Sequence, residues 1–243
     1  MSKRMLTKIR KAIDDFSMIE NGDRICVGIS GGKDSLVLLT ALARFRKYAP
    51  YDFEVVAVHL NLGFPDMDFG SLTAFLKQEN IEYQEKPTEV YEILKKNLNG
   101  DGSLKCSLCS KFKKALVIDA AKEHNCRKVA FGHHSEDAIE TLWLNAIYGG
   151  KLATFRPKMY LSRSEMTFIR PLIYVREREI MAFAENEKLP VVKSTCPNDG
   201  YTKRTEMKNL LNSIYEQYPT AYENFLTMLG NSEQVDLWDT DDQ

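Results

Sequence analysis

Six consecutive residues, Ser30-Gly31-Gly32-Lys33-Asp34-Ser35, bring together two hydroxyls, two positions without side chains, an ammonium and a carboxylate. That set suits a polyphosphate. Gly31 and Gly32 let the backbone approach the anion, Ser30 and Ser35 can donate hydroxyls, Lys33 offers charge, and Asp34 is the hard oxygen donor that Mg²⁺ takes. Two common nucleotide patterns nevertheless fail. The loop G-x-x-x-x-G-K-[ST] requires glycine where Val27 stands and a hydroxyl where Asp34 stands, and G-x-G-x-x-G is broken by Ile29 and Ser30 after Gly28. The plain alternative is a glycine turn capped by Asp or Ser.

The flanks place this turn. "RICVGI" is a short apolar run that reads as a buried strand, and "SLVLLTALARFRKY" reads as a helix starting at or just after Ser35. A strand, a glycine turn and a helix N-terminus aim backbone N–H groups and a helix dipole at an anion. "FEVVAVHL" is a second buried strand, "SLTAFLKQEN" a helix, "IEYQEK" a strand, "CSLCSKFKKALVIDAAKEHN" a long helix, "RKVAFG" a strand and "SEDAIETLWLNAIYGG" a helix ending at paired glycines. Strands alternating with helices imply an α/β fold: a Rossmann-like parallel sheet with helices on both faces. Apolar positions at helical spacing in residues 1–21 predict an N-terminal helix. "KMYLSRSEMTFIRPL" reads as a hairpin, "VREREIMAFAENEKL" as a helix, "PVVKSTCPNDGYTKR" as an irregular loop, and Thr205 to Leu229 as mostly helical. The organisation read from this is an N-terminal helix (1–21), an α/β domain (22–190), a C-terminal loop and helices (191–230) and an acidic tail (231–243).

"SGGKDS" resembles the signature of the PP-loop ATP pyrophosphatases (adenine nucleotide alpha hydrolase-like proteins), which cleave ATP between the α and β phosphates. "GHHSEDAIET" is similar to the second element of that superfamily, G-H-x-x-D-D-x-x-E-T, with Glu136 in place of the first Asp. The resemblance implies that Gly132 and His133 lie near the nucleotide and that Asp137 helps hold Mg²⁺. Ser135 capping the helix, with Glu136 and Asp137 complementing its dipole, is compatible with the same residues. His134 reads as structural. "HLNLGF" lies where the superfamily places adenine; His59 is assigned to the nucleotide there, against the equal alternative of a satisfied strand-end histidine.

Cys106 and Cys109 form a C-x-x-C at the start of a helix with a basic flank, surroundings that lower a thiol pKa and favour metal binding or redox chemistry. Cys196 stands in the loop "KSTCPNDGYTKR". Three thiols fall short of the four ligands of a structural zinc site, and suit a [4Fe-4S] cluster with one iron free of protein ligands. A thiol pair carrying persulfide directly, zinc, and plain structural thiols are the alternatives. Cys26, inside the first strand, reads as packed. Cys126 reads as incidental, although it could extend a metal set with His124.

"SGGKDSLVLL", "CSLCSKFKK", "GHHSEDAIETLWLNAIYGGKL", "RPLIYVREREI" and "TCPNDGYTKRTEMKNLL" occur in the order found in the tRNA 2-thiocytidine synthase family, and this resemblance covers nearly the whole chain. It implies that ATP adenylates the C2 oxygen of a cytidine at the start of the tRNA anticodon loop, and that sulfur carried on the open iron of a cluster displaces AMP. By position the cluster cysteines are Cys106, Cys109 and Cys196; Lys33 and Asp34 complete the catalytic set. ATP, Mg²⁺ and a [4Fe-4S] cluster are the implied cofactors, tRNA and a sulfur donor (cysteine desulfurase or free sulfide) the partners, and a homodimer the assembly. The chain departs from other members in being shorter and in having "STCPN" where some carry a second C-x-x-C. Lysidine synthetase shares both nucleotide motifs but has no need of the three cysteines. A thiolase acting on another nucleoside or a small molecule, and a cluster-bearing RNA-binding or redox-sensing module, are the remaining readings.

The net charge of −1 hides an asymmetry. Seven acidic residues and no basic ones follow Tyr215, so the preceding part carries a net charge of about +6. The basic residues Lys105, Lys111, Lys113, Lys114, Arg156, Lys158, Arg163, Arg170, Lys203 and Arg204 gather around the proposed site in sequence, as backbone phosphate contacts to RNA require. With 44% hydrophobic and 28% charged residues the balance is globular. No apolar run reaches membrane-spanning length and no secretory signal is seen, so a soluble cytoplasmic protein with reduced thiols is expected.

Overall fold

The structure, a computed structural model, describes residues 3–234 apart from Asp199 and Tyr201; residues 235–243 of the acidic tail lie outside the described residues. Among the described residues six strands are formed: β1 (Asp23–Ile29), β2 (Phe53–Asn61), β3 (Glu82–Pro87), β4 (Lys128–Ala130), β5 (Lys158–Leu161) and β6 (Met166–Ile169). The helices are α1 (Lys3–Asp15), α2 (Lys33–Phe45), α3 (Gly70–Gln78), α4 (Val90–Lys95), α5 (Cys106–Glu123), α6 (Ser135–Gly149), α7 (Glu177–Asn186), α8 (Lys203–Gln217) and α9 (Ala221–Gly230). Among the described residues no helix is long and apolar enough to cross a membrane.

The chain divides into two compact units, Met1–Ser135 with Arg156–Gly200, and Glu136–Phe155 with Tyr201–Gln243. They interleave along the sequence, whereas the segments 22–190 and 191–230 read above are consecutive. The first unit holds one sheet of order β3-β2-β1-β4-β6-β5. Every pairing is parallel except that of β5 with β6. The expected hairpin therefore supplies an antiparallel edge to an otherwise parallel sheet. β1 and β2 are nearly continuous apolar runs, because both of their faces are covered. One face packs Cys26, Val56, Val58, Val129 and Phe168 against Val117, Ala120 and Ala121 of α5.

α5 runs against the direction of the strands. Near its end, the His124 carbonyl accepts a hydrogen bond from Arg24 Nε at the start of β1 (2.8 Å). Further up, Val117 stands 3.4 Å from where a Cβ on Gly28 would be. Its first residues, Cys106 and Cys109, thus point toward the carboxyl ends of the strands, the side on which α/β sheets bind ligands.

α2 and α7 run alongside each other, fastened at both ends. Lys33 Nζ meets Glu177 Oε1 at 3.0 Å, and Arg44 Nη2 meets Glu187 Oε2 at 2.6 Å. Hydrogen bonding to Arg44 is the chief cause that takes the Glu187 carboxyl down from 4.5 to about 2. A lowered carboxylate pKa contributes stability that is complete above the unfolded value and is lost as pH falls through the folded one. The stability difference between wild type and Glu187→Gln, read from denaturant unfolding, is therefore expected to be constant above about pH 5 and to vanish between pH 4.5 and about 2. A difference that persists at pH 2 would contradict the ion pair.

In the second unit, Ile139 on α6 packs with Met207 and Leu211 of α8 and Tyr222 of α9, flanked by Trp143, Ile214 and Phe225.

Candidate active site

The turn after β1 is built for close backbone approach. Gly31 has φ +83°, and a side chain there would meet Val192 Cβ at 3.0 Å. Gly32 is extended (φ −72°, ψ 155°) and caps α2. The helix begins at Lys33, two residues before the expected Ser35, so Lys33 and Asp34 occupy its first turn. The hydroxyls knit the loop together: Ser35 Oγ donates to the Gly32 carbonyl (2.9 Å), and the Gly32 and Ser30 amides donate to Ser30 Oγ and Ser35 Oγ (3.3 Å each).

Lys33 Nζ lies 3.3 Å from Asp34 Oδ1 and 3.0 Å from Glu177 Oε1. Burial works against its charge, but the carboxylates of Asp34 and Glu177 outweigh it and raise the pKa, so the ammonium stays charged. Glu177 is remote in the chain from this turn and reaches it through the α2–α7 packing, so its role is not visible in the sequence.

Gly132, two residues beyond β4, presses on the same turn. A Cβ there would stand 2.8 Å from the Asp34 carbonyl carbon and 2.9 Å from its oxygen. These are backbone atoms of a helix start and cannot turn aside. Gly132→Ala is expected to cost about 1–3 kcal/mol in denaturant unfolding, as overpacking does, and to weaken ATP binding by displacing the loop. An alanine variant as stable as wild type would refute the contact.

His59 sits buried near the end of β2, and its Nε2 has no hydrogen-bond partner among the described residues. It is 2% exposed, its Nδ1–H donates to the Ile29 carbonyl (2.9 Å), and its ring lies 4.0 Å from that of Phe69. Burial lowers its pKa, so it is neutral near pH 7 and fixes the residue just before Ser30. Beside it a groove of about 540 Å³ opens at the ends of β2 and β3, lined by Asn61, Phe69, Thr73, Lys77 and Glu85. His133 is half-buried, with its ring 5.8 Å from that of Phe131, and His134 is buried. Ser135 Oγ donates to the Val175 carbonyl at 2.7 Å. Asp137 belongs to the second unit, where Arg204 Nη1 reaches Asp137 Oδ1 and Glu140 Oε2, each at 3.2 Å.

All three cysteines belong to the first unit. Cys109 and Cys196 pack in one cluster with Leu62, Phe64, Tyr91 and Leu104. Cys106 Sγ accepts a hydrogen bond from Asn198 Nδ2 at 3.2 Å. Burial first, opposed by Lys113 but reinforced by Cys196 and Cys106, pushes the Cys109 thiol up. This corrects the expectation of a lowered pKa: at Cys109 desolvation and neighbouring sulfurs outweigh the basic flank. Among the described residues no three His, Cys, Asp or Glu side chains stand close enough to hold a single metal ion. The donor set fits an iron–sulfur cluster, in which each thiolate binds a different iron. Cys126 and Cys26 are buried in the core against α5, and His124 bonds instead to Glu82 and Gln84 (3.0 Å each).

One backbone bond links the two halves of the site. The Val192 amide donates to the Gly31 carbonyl at 2.9 Å. Cys196 follows four residues later, so its Cα lies within about 14 Å of that of Val192 even if the chain is fully extended. Thr195 Oγ1 then donates to the Pro65 carbonyl (2.7 Å), tying the same loop to the segment after β2.

The basic residues divide. Arg170 is buried and gives Nη1 to the Arg156 carbonyl at 2.6 Å, so it cannot face a phosphate. Lys158 is held by the Ser17 carbonyl and Glu20, and Lys114 lies over the Phe168 ring at 5.3 Å. At the cysteine end of α5, Lys111 is exposed and Lys105 half-buried.

Residues 1–213 match the PP-loop domain family. The chain is similar to tRNA-cytidine(32) 2-sulfurtransferases from Geobacter sulfurreducens (36% identical, covering 98% of this chain and 93% of the relative) and Burkholderia lata (37%, covering 98% and 72%). Among solved structures it resembles the U34-tRNA thiolase NcsA from Methanococcus maripaludis with its [4Fe-4S] cluster, at TM-score 0.76 and 23% identity, over 98% of this chain and 80% of that one; the likeness is one of fold. With the phosphate turn and the cysteine trio at one end of such a sheet, the chain belongs to the PP-loop domain family and, within it, to the tRNA-cytidine 2-sulfurtransferase family of enzymes.

Proposed function

We propose that the chain is an ATP-dependent tRNA thiolase that converts a cytidine, position 32 as in the relatives' names, to 2-thiocytidine. The observation that carries this reading is the Val192–Gly31 bond, which hangs the Cys196 loop from the phosphate turn. In the reaction, the cytidine C2 oxygen attacks the α-phosphorus of ATP and pyrophosphate leaves. Sulfur then adds at C2, the C2–O bond breaks, and AMP departs. A carbonyl oxygen is a poor leaving group and AMP a good one, which is why the ATP step comes first.

The chain's residues divide these tasks. Backbone amides at the start of α2 are the proposed seat of the phosphates, and Lys33 adds a charge kept on by Asp34 and Glu177. Asp34, in the first turn of α2, is a proposed Mg²⁺ ligand. Cys106, Cys109 and Cys196 would hold a [4Fe-4S] cluster, which would supply a soft iron site for sulfide that Mg²⁺ would not provide. A cysteine desulfurase or free sulfide would supply that sulfur, and a soluble homodimer in the cytoplasm is the proposed setting.

The test is anaerobic incubation with tRNA, Mg-ATP and sulfide, followed by nucleoside mass spectrometry and measurement of AMP. One 2-thiocytidine per AMP, at one tRNA position, is expected. AMP release with lysine joined to the tRNA, or no AMP from iron-replete protein, would overturn the proposal.

A further inference from the structure

Asn198, two residues beyond Cys196, has a side chain to which the site described above gives no role. Its side-chain Nδ2 has two protons and both have partners: the Leu104 carbonyl at 2.8 Å and Cys106 Sγ at 3.2 Å. Cys106 Sγ in turn lies 3.8 Å from the same Leu104 carbonyl. Leu104 is buried in the cluster that contains Cys109 and Cys196, so the carbonyl is a fixed anchor. A single planar amide thus bridges the Cys196 loop, the residues leading into α5 and one of the three sulfurs. A second tether of the loop, Thr195 Oγ1 to the Pro65 carbonyl, touches no sulfur.

A neutral thiol is a weak acceptor, but a thiolate is a strong one. Hydrogen bonds to cysteine sulfurs are among the factors that set the potential of an iron–sulfur centre, because they stabilise the state with more negative charge. Outer groups that orient ligands also govern how well the centre is retained.

We propose that Asn198 is a positioning residue for the sulfur centre, donating an N–H···S hydrogen bond to Cys106 that raises the centre's reduction potential and fixes the third cysteine's loop against the other two. This rests on the cluster reading above. Removing the donor leaves the thiolate charge less stabilised and lowers the potential; a carboxylate in its place lowers it further.

The experiment uses the full chain, reconstituted anaerobically with iron and sulfide, as wild type, Asn198→Ala, Asn198→Asp and Thr195→Val. Iron and labile sulfide are counted first, and a redox titration is then followed by visible absorption. The expected result is a midpoint that falls from wild type through Asn198→Ala to Asn198→Asp, with Thr195→Val at the wild-type value. If Asn198→Ala loses its iron while Thr195→Val keeps it, the amide is needed for retention and the assignment stands. Equal midpoints in all four proteins, or equal loss of iron from Asn198→Ala and Thr195→Val, overturn it. A wild-type protein that takes up no iron and sulfide refutes the cluster reading itself, a result distinct from a wild-type cluster whose potential ignores Asn198.

Discussion

Cys196→Ala is expected to empty anaerobically purified protein of iron and to reduce tRNA thiolation by more than about 100-fold. The scale follows from metal sites in general, where loss of an outer partner alone costs about 10- to 100-fold, and Cys196 is placed as a ligand rather than a partner. ATP binding should survive. The loop's bond to the phosphate turn is made by the Val192 backbone amide, which the substitution leaves in place. Cys126→Ala is the control: this cysteine is buried in the core against α5, away from the trio, and its loss should lower stability without changing iron content. Iron, sulfide and 2-thiocytidine are measured side by side. A Cys196→Ala protein that retained its iron and full activity would remove the trio from the chemistry, whereas a wild type active without iron would favour direct persulfide transfer.

Lys33→Met is expected to slow AMP formation by about 10²- to 10³-fold, the usual consequence of deleting one preorganised group facing developing phosphate charge. Here the loss is twofold. The ammonium that would meet ATP disappears, and Asp34 and Glu177 are left as two carboxylates without their shared cation, next to an incoming polyanion. Lys33→Arg should not restore the rate, because a guanidinium fork does not reproduce a point charge held between two carboxylates. Thiolation in single-turnover conditions, with AMP measured directly, separates this step from sulfur transfer. A Lys33→Met enzyme within threefold of wild type would exclude Lys33 from the phosphate site.

Much of this was readable from residues alone, and the exceptions have physical reasons. The strand–helix alternation was legible because both faces of the sheet are covered, which turns β1 and β2 into continuous apolar runs. The start of α2 was read two residues late: serine is the better cap by propensity, but extended Gly32 takes that place and Ser35 turns its hydroxyl back onto the Gly32 carbonyl. α4, at six residues, has too few positions to reveal a period. The hairpin was seen, but its sheet partner was not, since β6 pairs with β4 across the whole of α6. The cysteine trio was legible by type and order. Glu177 and Asn198 were not, because each acquires its partner only when distant segments pack. The environment of Cys109 went the other way from its local sequence for the same reason: neighbouring lysines are visible in the chain, whereas burial is not.

The interleaving of the two units has a consequence for how the protein is made. The chain leaves the first unit after Ser135, returns at Arg156 and departs again after Gly200. No single cut in the polypeptide separates one unit whole from the other. During synthesis α6 emerges with Ile139 and Trp143 uncovered, and they stay so until Met207, Leu211 and Tyr222 have left the ribosome. A truncation after Gly200 would therefore strand a greasy helix on the sheet-bearing half, a ready site for chaperone capture or clumping.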